Sequence, residues 1–159
     1  MNAIRDLFPG FVEHRLPTEG AEIFGRTGWS GKRLLLLDGH PQTHMCWHKI
    51  GSELARHVTL VLANLPGYGR SSAPPGDAEH KTYSKRTMAA DCLQVMRALG
   101  PALYGGCPKL DGAPPLKVQS WCTEPAGGKV KAGHFLAEEN PQAMLAALIP
   151  FLQVQAGCN

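Results

Sequence analysis

Two short apolar runs constrain the fold of this chain more than any other feature. RLLLL occupies residues 33–37, and VTLVLAN occupies residues 58–64. Short runs rich in leucine and β-branched residues, flanked by turn residues, are typical of strands buried on both faces of a parallel sheet. Residues 46–57 between them space apolar side chains at helical intervals. The order strand, helix, strand predicts a βαβ unit, and hence an α/β fold with a mostly parallel sheet flanked by helices.

The segments around this unit carry their own signals. Residues 11–24 alternate loosely around a Thr-Glu-Gly turn, which predicts a short hairpin. SKRTMAADCLQVMRALG at 84–100 begins with a serine N-cap and ends on glycine, as a helix does. A final helix is expected over 140–153, where Pro150 should strain or kink the last turn.

The region between those two helices is rich in glycine and proline. GGCPKLDGAPP stands at 105–115, where a buried strand was due, and only PALYG and GGKVKAG remain as short strand candidates. A chain of 159 residues is long enough for one domain with a hydrophobic core and too short for two domains of ordinary size. We expect a single domain over residues 1–152 and a C-terminal tail over 153–159.

Charge and cysteine content narrow the partners and the location. The net charge is +3, and the lysines and arginines are scattered, so neither nucleic acid nor a membrane surface is an expected partner. The opening MNAIRDLFPGF has no apolar core of a signal peptide. Five cysteines without a CxxC argue against a disulfide framework or zinc ribbon. We expect reduced thiols, a cytoplasmic location and no cofactor.

The stretch LLLLDGHPQTHMCWHK places three histidines four residues apart. His40, His44 and His48 could line one helix face and bind a transition metal. Pro41 opposes a continuous helix through this stretch. We therefore expect no metal site, and interpret residues 38–44 as a loop at the end of a strand.

The motifs occur in the order seen in one enzyme family. FPGFVEHRLPTEGAEIF, the stretch LLLLDGHPQTHMCWHKIGSELARHVTLVLANLPGYGRSSAPP, YSKRTMAADCLQVMRALG and GHFLAEENPQAMLAALIPFL together resemble an α/β-hydrolase of the haloacetate (fluoroacetate) dehalogenase group. This group is related to the soluble epoxide hydrolases. The resemblance covers residues 8–100 and 128–152 and implies a truncated α/β-hydrolase fold.

The resemblance also implies roles for particular residues. The backbone N–H of His40 would supply half of an oxyanion hole. His134, in AGHFLAEE, would be the general base that activates water to hydrolyse an ester formed on a nucleophilic aspartate. Asp38, Gly39 and Trp47 are candidates for lining the site. The implied partner is a small haloacid substrate, although Asp38 stands where a histidine is usual and would disfavour an anion there.

Several parts of the family pattern are missing from the sequence. No nucleophile elbow of the Gly-His-Asp-Arg-Gly-Gly kind follows MRALG, and neither the strand with the acid partner nor the helical cap can be recognised. The chain resembles a family member with its middle removed between Gly100 and Ala102. The sequence therefore predicts a hydrolase by descent that is inactive or impaired.

Two alternatives stay open at this stage. One is a non-catalytic binding or homo-oligomerising remnant, and the other is a residual enzyme that uses Asp38 or Cys107 with His134. Asp38 and His134 could also form an ion pair near the carboxyl edge of the sheet, or Asp38 could face water. The RLLLL strand is expected to pair with PALYG or to form a dimer across its open edge.

Overall fold

A computed structural model describes residues 6–29, 31–100 and 130–157. A four-stranded sheet lies at its centre. The strands are β1 (Val12–Pro17), β2 (Glu22–Gly28), β3 (Arg33–Leu37) and β4 (Thr59–Ala63). β1, β3 and β4 fall where the sequence pattern predicts extended structure, and β2 begins there but continues to Gly28, four residues beyond the predicted hairpin.

The strands lie in the order β1-β2-β4-β3. β1 and β2 form the predicted antiparallel hairpin, which is closed by a hydrogen bond from Thr18 N–H to Ala21 O of 2.8 Å. β2 also pairs antiparallel with β4, and β3 pairs parallel with β4. Among the described strands the sheet is therefore mixed rather than mostly parallel, because a tight hairpin forces its second strand to run antiparallel to the first.

Two of the three predicted helices form as single helices. α2 (Lys85–Leu99) begins after Ser84, whose hydroxyl accepts the Thr87 N–H at 3.2 Å. The predicted helix over 46–57 is wrong as one element. The chain there forms a 3₁₀ turn (His44–Trp47) and then the short helix α1 (Gly51–Leu54), with residues 48–50 between them.

The C-terminal part contributes α3 (Leu136–Glu139) and α4 (Pro141–Gly157). α4 continues beyond Pro150 into residues expected to be a tail. A proline removes one helical hydrogen bond and crowds the preceding turn, and the helix continues through it here.

Hydrophobic side chains form two clusters, one on each face of the sheet. Leu34 and Leu36 pack against the cluster that α1 and α4 cover, whereas Leu35 packs against the cluster beneath α2. β4 is buried along its whole length, as expected, but β3 is only half-buried and Leu37 is 40% exposed. The difference follows from position, because β3 is an edge strand of the described sheet.

Three sequence predictions fall on residues that the structure does not describe. PALYG, Cys107 and the first part of GGKVKAG lie outside the described residues. Pairing of β3 with PALYG therefore stays a prediction. Among the described helices, none combines the length and the apolar character that crossing a bilayer requires.

Candidate functional site

A loop after β3 carries most of the candidate site. β3 ends at Leu37, and residues 38–43 turn at the carboxyl end of the strand, where open α/β sheets place their ligands. The Gln42 N–H donates to Gly39 O at 2.7 Å and tightens the turn. Thr43 then caps the 3₁₀ turn.

His44 and Asn64 fix this loop to the end of β4. The Oδ1 atom of Asn64 accepts the His44 backbone N–H at 2.8 Å and lies 3.0 Å from His44 Nδ1. Both side chains are buried, and the imidazole lies between the rings of Phe8 and Phe24. Burial lowers the pKa of His44, so a neutral imidazole anchors the loop.

His134 lies in a second loop, immediately before α3. The carboxylate of Glu139 accepts the Gly133 N–H at 2.5 Å and the Phe135 N–H at 2.9 Å. These two hydrogen bonds bracket His134, and those N–H donors lower the pKa of Glu139. Asn140 adds a further bond, from its Nδ2 atom to Lys131 O at 3.0 Å.

The two loops meet at a small cavity of about 130 Å³. Its walls come from the end of β3, the 3₁₀ turn, the His134 loop, α3 and α4. They comprise Leu37, Asp38, Gly39, Gln42, Cys46, Trp47, His134, Leu136, Ala137 and Met144. His134 thus lies in a loop and shares this cavity with Gly39, whereas the strand expected to precede it lies outside the described residues.

Asp38 is the most unusual group in this cavity. The residue is 6% exposed, and neither carboxylate oxygen has a hydrogen-bond partner in another described residue. Burial raises the pKa of Asp38 to about 6. Asp38 and His134 line one cavity, but no hydrogen bond or ion pair joins them, so the ion pair that the sequence left open does not form. Nor does Asp38 face water.

The sequence interpretation missed the contribution of Cys46 to this cavity. Burial, with smaller contributions from the charges of Asp38 and Glu138, raises the pKa of Cys46 to about 12. Its thiol therefore stays protonated and is not an activated nucleophile. The neighbouring Trp47 has a buried indole N–H with no acceptor in the described part of the chain. The sequence signal that could have identified Cys46 is its position immediately before Trp47, a candidate for lining the site.

His40 lies apart from the cavity that contains His134. Its exposed ring is edge-on to Tyr68, with 6.3 Å between ring centroids, and lines a separate, open cleft of about 470 Å³. The backbone N–H of His40 makes no hydrogen bond to the described residues. The predicted donor to an oxyanion hole is this backbone N–H, and the imidazole ring of His40 has no part in that prediction.

The three histidines that are spaced four residues apart lie in three different environments. His44 is buried against Asn64, His40 contacts Tyr68, and His48 lies near Glu138, with 3.9 Å between Nδ1 and Oε1. Within residues 6–29, 31–100 and 130–157, no three His, Cys, Asp or Glu side chains converge in a group that could hold a metal ion.

Comparisons with known proteins agree with this architecture. The family model described as the alpha/beta hydrolase fold matches residues 32–103. A fluoroacetate dehalogenase from Burkholderia sp. is 42% identical over 94 residues, which are 59% of this chain and 31% of that protein. A soluble epoxide hydrolase from Corynebacterium sp. (strain C12) is 32% identical over 89 residues, 56% of this chain and 29% of that protein.

A solved structure gives the same result. A variant of a provisionally assigned epoxide hydrolase from Pseudomonas aeruginosa matches with a TM-score of 0.55 and 44% identity, over 60% of this chain and 31% of that one. The matches thus span less than a third of the length of these relatives. The sheet and helices described above are part of an α/β-hydrolase fold.

Proposed function

We propose that this chain, with its partial α/β-hydrolase fold, derives from a haloacetate dehalogenase-like hydrolase that cleaves a carbon–halogen bond in a small haloacid. Its own activity is absent or strongly impaired. The observation that carries this proposal is that His134 and Gly39 line one cavity at the carboxyl end of β3. A base and an oxyanion loop of such a hydrolase would have to meet at this place.

The proposed chemistry needs two protein groups, a nucleophilic carboxylate and a general base. A carboxylate attacks the halogen-bearing carbon, halide leaves, and a base then activates water to hydrolyse the resulting ester. His134 occupies the position of the base. The sequence contains neither a Gly-His-Asp-Arg-Gly-Gly elbow nor a G-x-S-x-G motif. Without the ester, His134 has no intermediate to hydrolyse, and most of the rate enhancement is lost.

Halide release tests the proposal. The purified chain is incubated with fluoroacetate and chloroacetate, and fluoride and chloride are measured with ion-selective electrodes. We expect no release above that of a His134→Ala variant. Rapid release that His134→Ala abolishes would show that the chain is a working dehalogenase and would contradict the proposed loss of activity.

A second function, a non-catalytic binding protein, is favoured by Asp38. Its buried carboxylate lines the cavity beside His134 without a partner in another described residue, an arrangement that disfavours an anionic haloacid. A cytoplasmic location and self-association across the β3 edge belong to the same proposal. Light scattering on the purified chain tests the self-association, and a chain that stays monomeric at all concentrations would exclude self-association.

A further inference from the structure

The cavity beside His134 contains a carboxylate that no other described residue compensates. Asp38 is more than nine-tenths buried, and neither of its oxygens accepts a hydrogen bond from another described residue. Its own backbone N–H is the one hydrogen-bonding group that lowers the pKa of this carboxyl, and it does not offset the effect of burial. No described lysine, arginine or histidine forms an ion pair with Asp38. Buried polar groups in native proteins are nearly always paired, and an unpaired one commonly indicates a functional role or a missing partner.

The surroundings of Asp38 determine which partner would fit. Cys46 and Trp47 line the same cavity, and the Cys46 thiol is uncharged at neutral pH because its pKa is raised to about 12. Glu138 on α3 adds negative charge near Cys46. Cys92 on α2 also lies within the electrostatic influence of Asp38, and burial raises the pKa of its thiol to about 11. Among the described residues, these thiols and Glu138 therefore supply no positive charge to Asp38.

We propose that this cavity binds a small organic cation that presents adjacent N–H donors to the two carboxylate oxygens of Asp38. An amidinium group has the required geometry, because two parallel N–H bonds can reach one carboxylate. The volume of about 130 Å³ limits the ligand to a few heavy atoms. Met144 and Leu136 provide an apolar wall for a short alkyl group.

This binding site does not depend on the proposed hydrolase activity. A cation at Asp38 requires neither a nucleophile nor an oxyanion hole, and His134 would act only as part of the wall. The charge preference is also opposite to that of a haloacid site. Binding and dehalogenation can therefore succeed or fail separately.

Three ligands of nearly equal shape test the charge preference. Acetamidinium, acetamide and acetate carry charges of +1, 0 and −1, and each is titrated into the ¹⁵N-labelled full chain at pH 7.5. The signals followed are the Trp47 indole N–H and the Gly39 amide. We expect saturable shifts with acetamidinium, a dissociation constant for acetamide at least about tenfold higher, and no saturation with acetate.

Two variants locate the effect. Asp38→Asn keeps the size of the side chain and removes its charge, so acetamidinium should bind at least about tenfold more weakly. Glu79→Gln removes an exposed carboxylate from a loop outside the cavity wall and should leave binding unchanged. The proposal is overturned if acetate binds as tightly as acetamidinium, if Asp38→Asn binds undiminished, or if none of the three ligands binds.

Discussion

One oxygen atom of Asn64 accepts two hydrogen bonds from the same residue, His44. The backbone N–H of His44 lies 2.8 Å from Asn64 Oδ1, and the imidazole Nδ1 lies 3.0 Å from it. Because this oxygen also accepts the backbone N–H, Nδ1 must carry the proton and donate. The contact connects the end of β4 with the loop that leads from Asp38 to the 3₁₀ turn.

Removing this oxygen should destabilise the fold. Asn64→Ala leaves the buried N–H and the imidazole of His44 without an acceptor, at an expected cost of about 2 to 4 kcal/mol in the free energy of unfolding. Asn64→Asp keeps an acceptor and should recover much of that loss, while raising the pKa of His44. Urea unfolding and NMR titration measure the two effects. Equal destabilisation by both variants would contradict the role of Oδ1.

Asp38 should reduce stability at neutral pH. Its pKa is raised from 3.8 to about 6 in the folded chain, so the folded state binds more protons than the unfolded state between these values. Stability attributable to Asp38 therefore falls as pH rises from about 4 to 6. Asp38→Asn should raise the free energy of unfolding at pH 7.5 by about 1 to 3 kcal/mol, measured as a higher urea midpoint. This gain should largely vanish at pH 4.

An exposed carboxylate provides the control for this measurement. Glu53→Gln removes a surface partner of Arg56 and should change stability by less than about 1 kcal/mol at either pH. If Asp38→Asn behaves like Glu53→Gln, the carboxylate of Asp38 is hydrated or paired in solution, and the cavity does not hold an isolated charge.

Local sequence predicts the strands better than the other parts of this fold. Leucine-rich and β-branched runs bounded by turn residues identify β3 and β4, and the serine cap locates the start of α2. The break between the 3₁₀ turn and α1 was missed because an apolar spacing of three to four residues suits both a continuous helix and two short ones.

The candidate site was predicted only in part. Family resemblance led to His134, Asp38, Gly39 and Trp47, which do line one cavity, but it gave no information on their partners. Asp38 shares its cavity with side chains of the nearby 3₁₀ turn and of α3 and α4, which lie far along the chain, and a local sequence pattern does not determine such packing. The role of Glu139 in holding the His134 loop is local, through the N–H groups of Gly133 and Phe135, but the sequence does not show which of the adjacent Glu138 and Glu139 side chains folds back onto the loop.

Glu139 should control the mobility of the His134 loop. Its carboxylate accepts N–H groups on both sides of His134, so Glu139→Ala should speed amide exchange at Gly133 and Phe135 by about tenfold or more, since the protecting acceptor is lost. Glu138→Ala on the same short helix is the matched control, because the Glu138 side chain does not contact these amides. Hydrogen exchange followed by NMR measures both variants. Equal exchange rates in the two variants would refute the assignment.

The docking of α4 on the sheet can be tested with two leucines. Leu152 is 1% exposed and belongs to the cluster that contains Phe8, Ile50 and Leu54, whereas Leu93 on α2 is 45% exposed. Leu152→Ala removes buried methyl groups and leaves a cavity, so it should lower the free energy of unfolding by about 2 to 5 kcal/mol. Leu93→Ala makes the same chemical change at the surface and should cost less than about 1 kcal/mol. Urea unfolding compares them directly. A cost for Leu152→Ala as small as that for Leu93→Ala would mean that α4 does not close this face of the sheet, and the cavity between His134, Asp38 and Met144 would lose the wall that α4 provides.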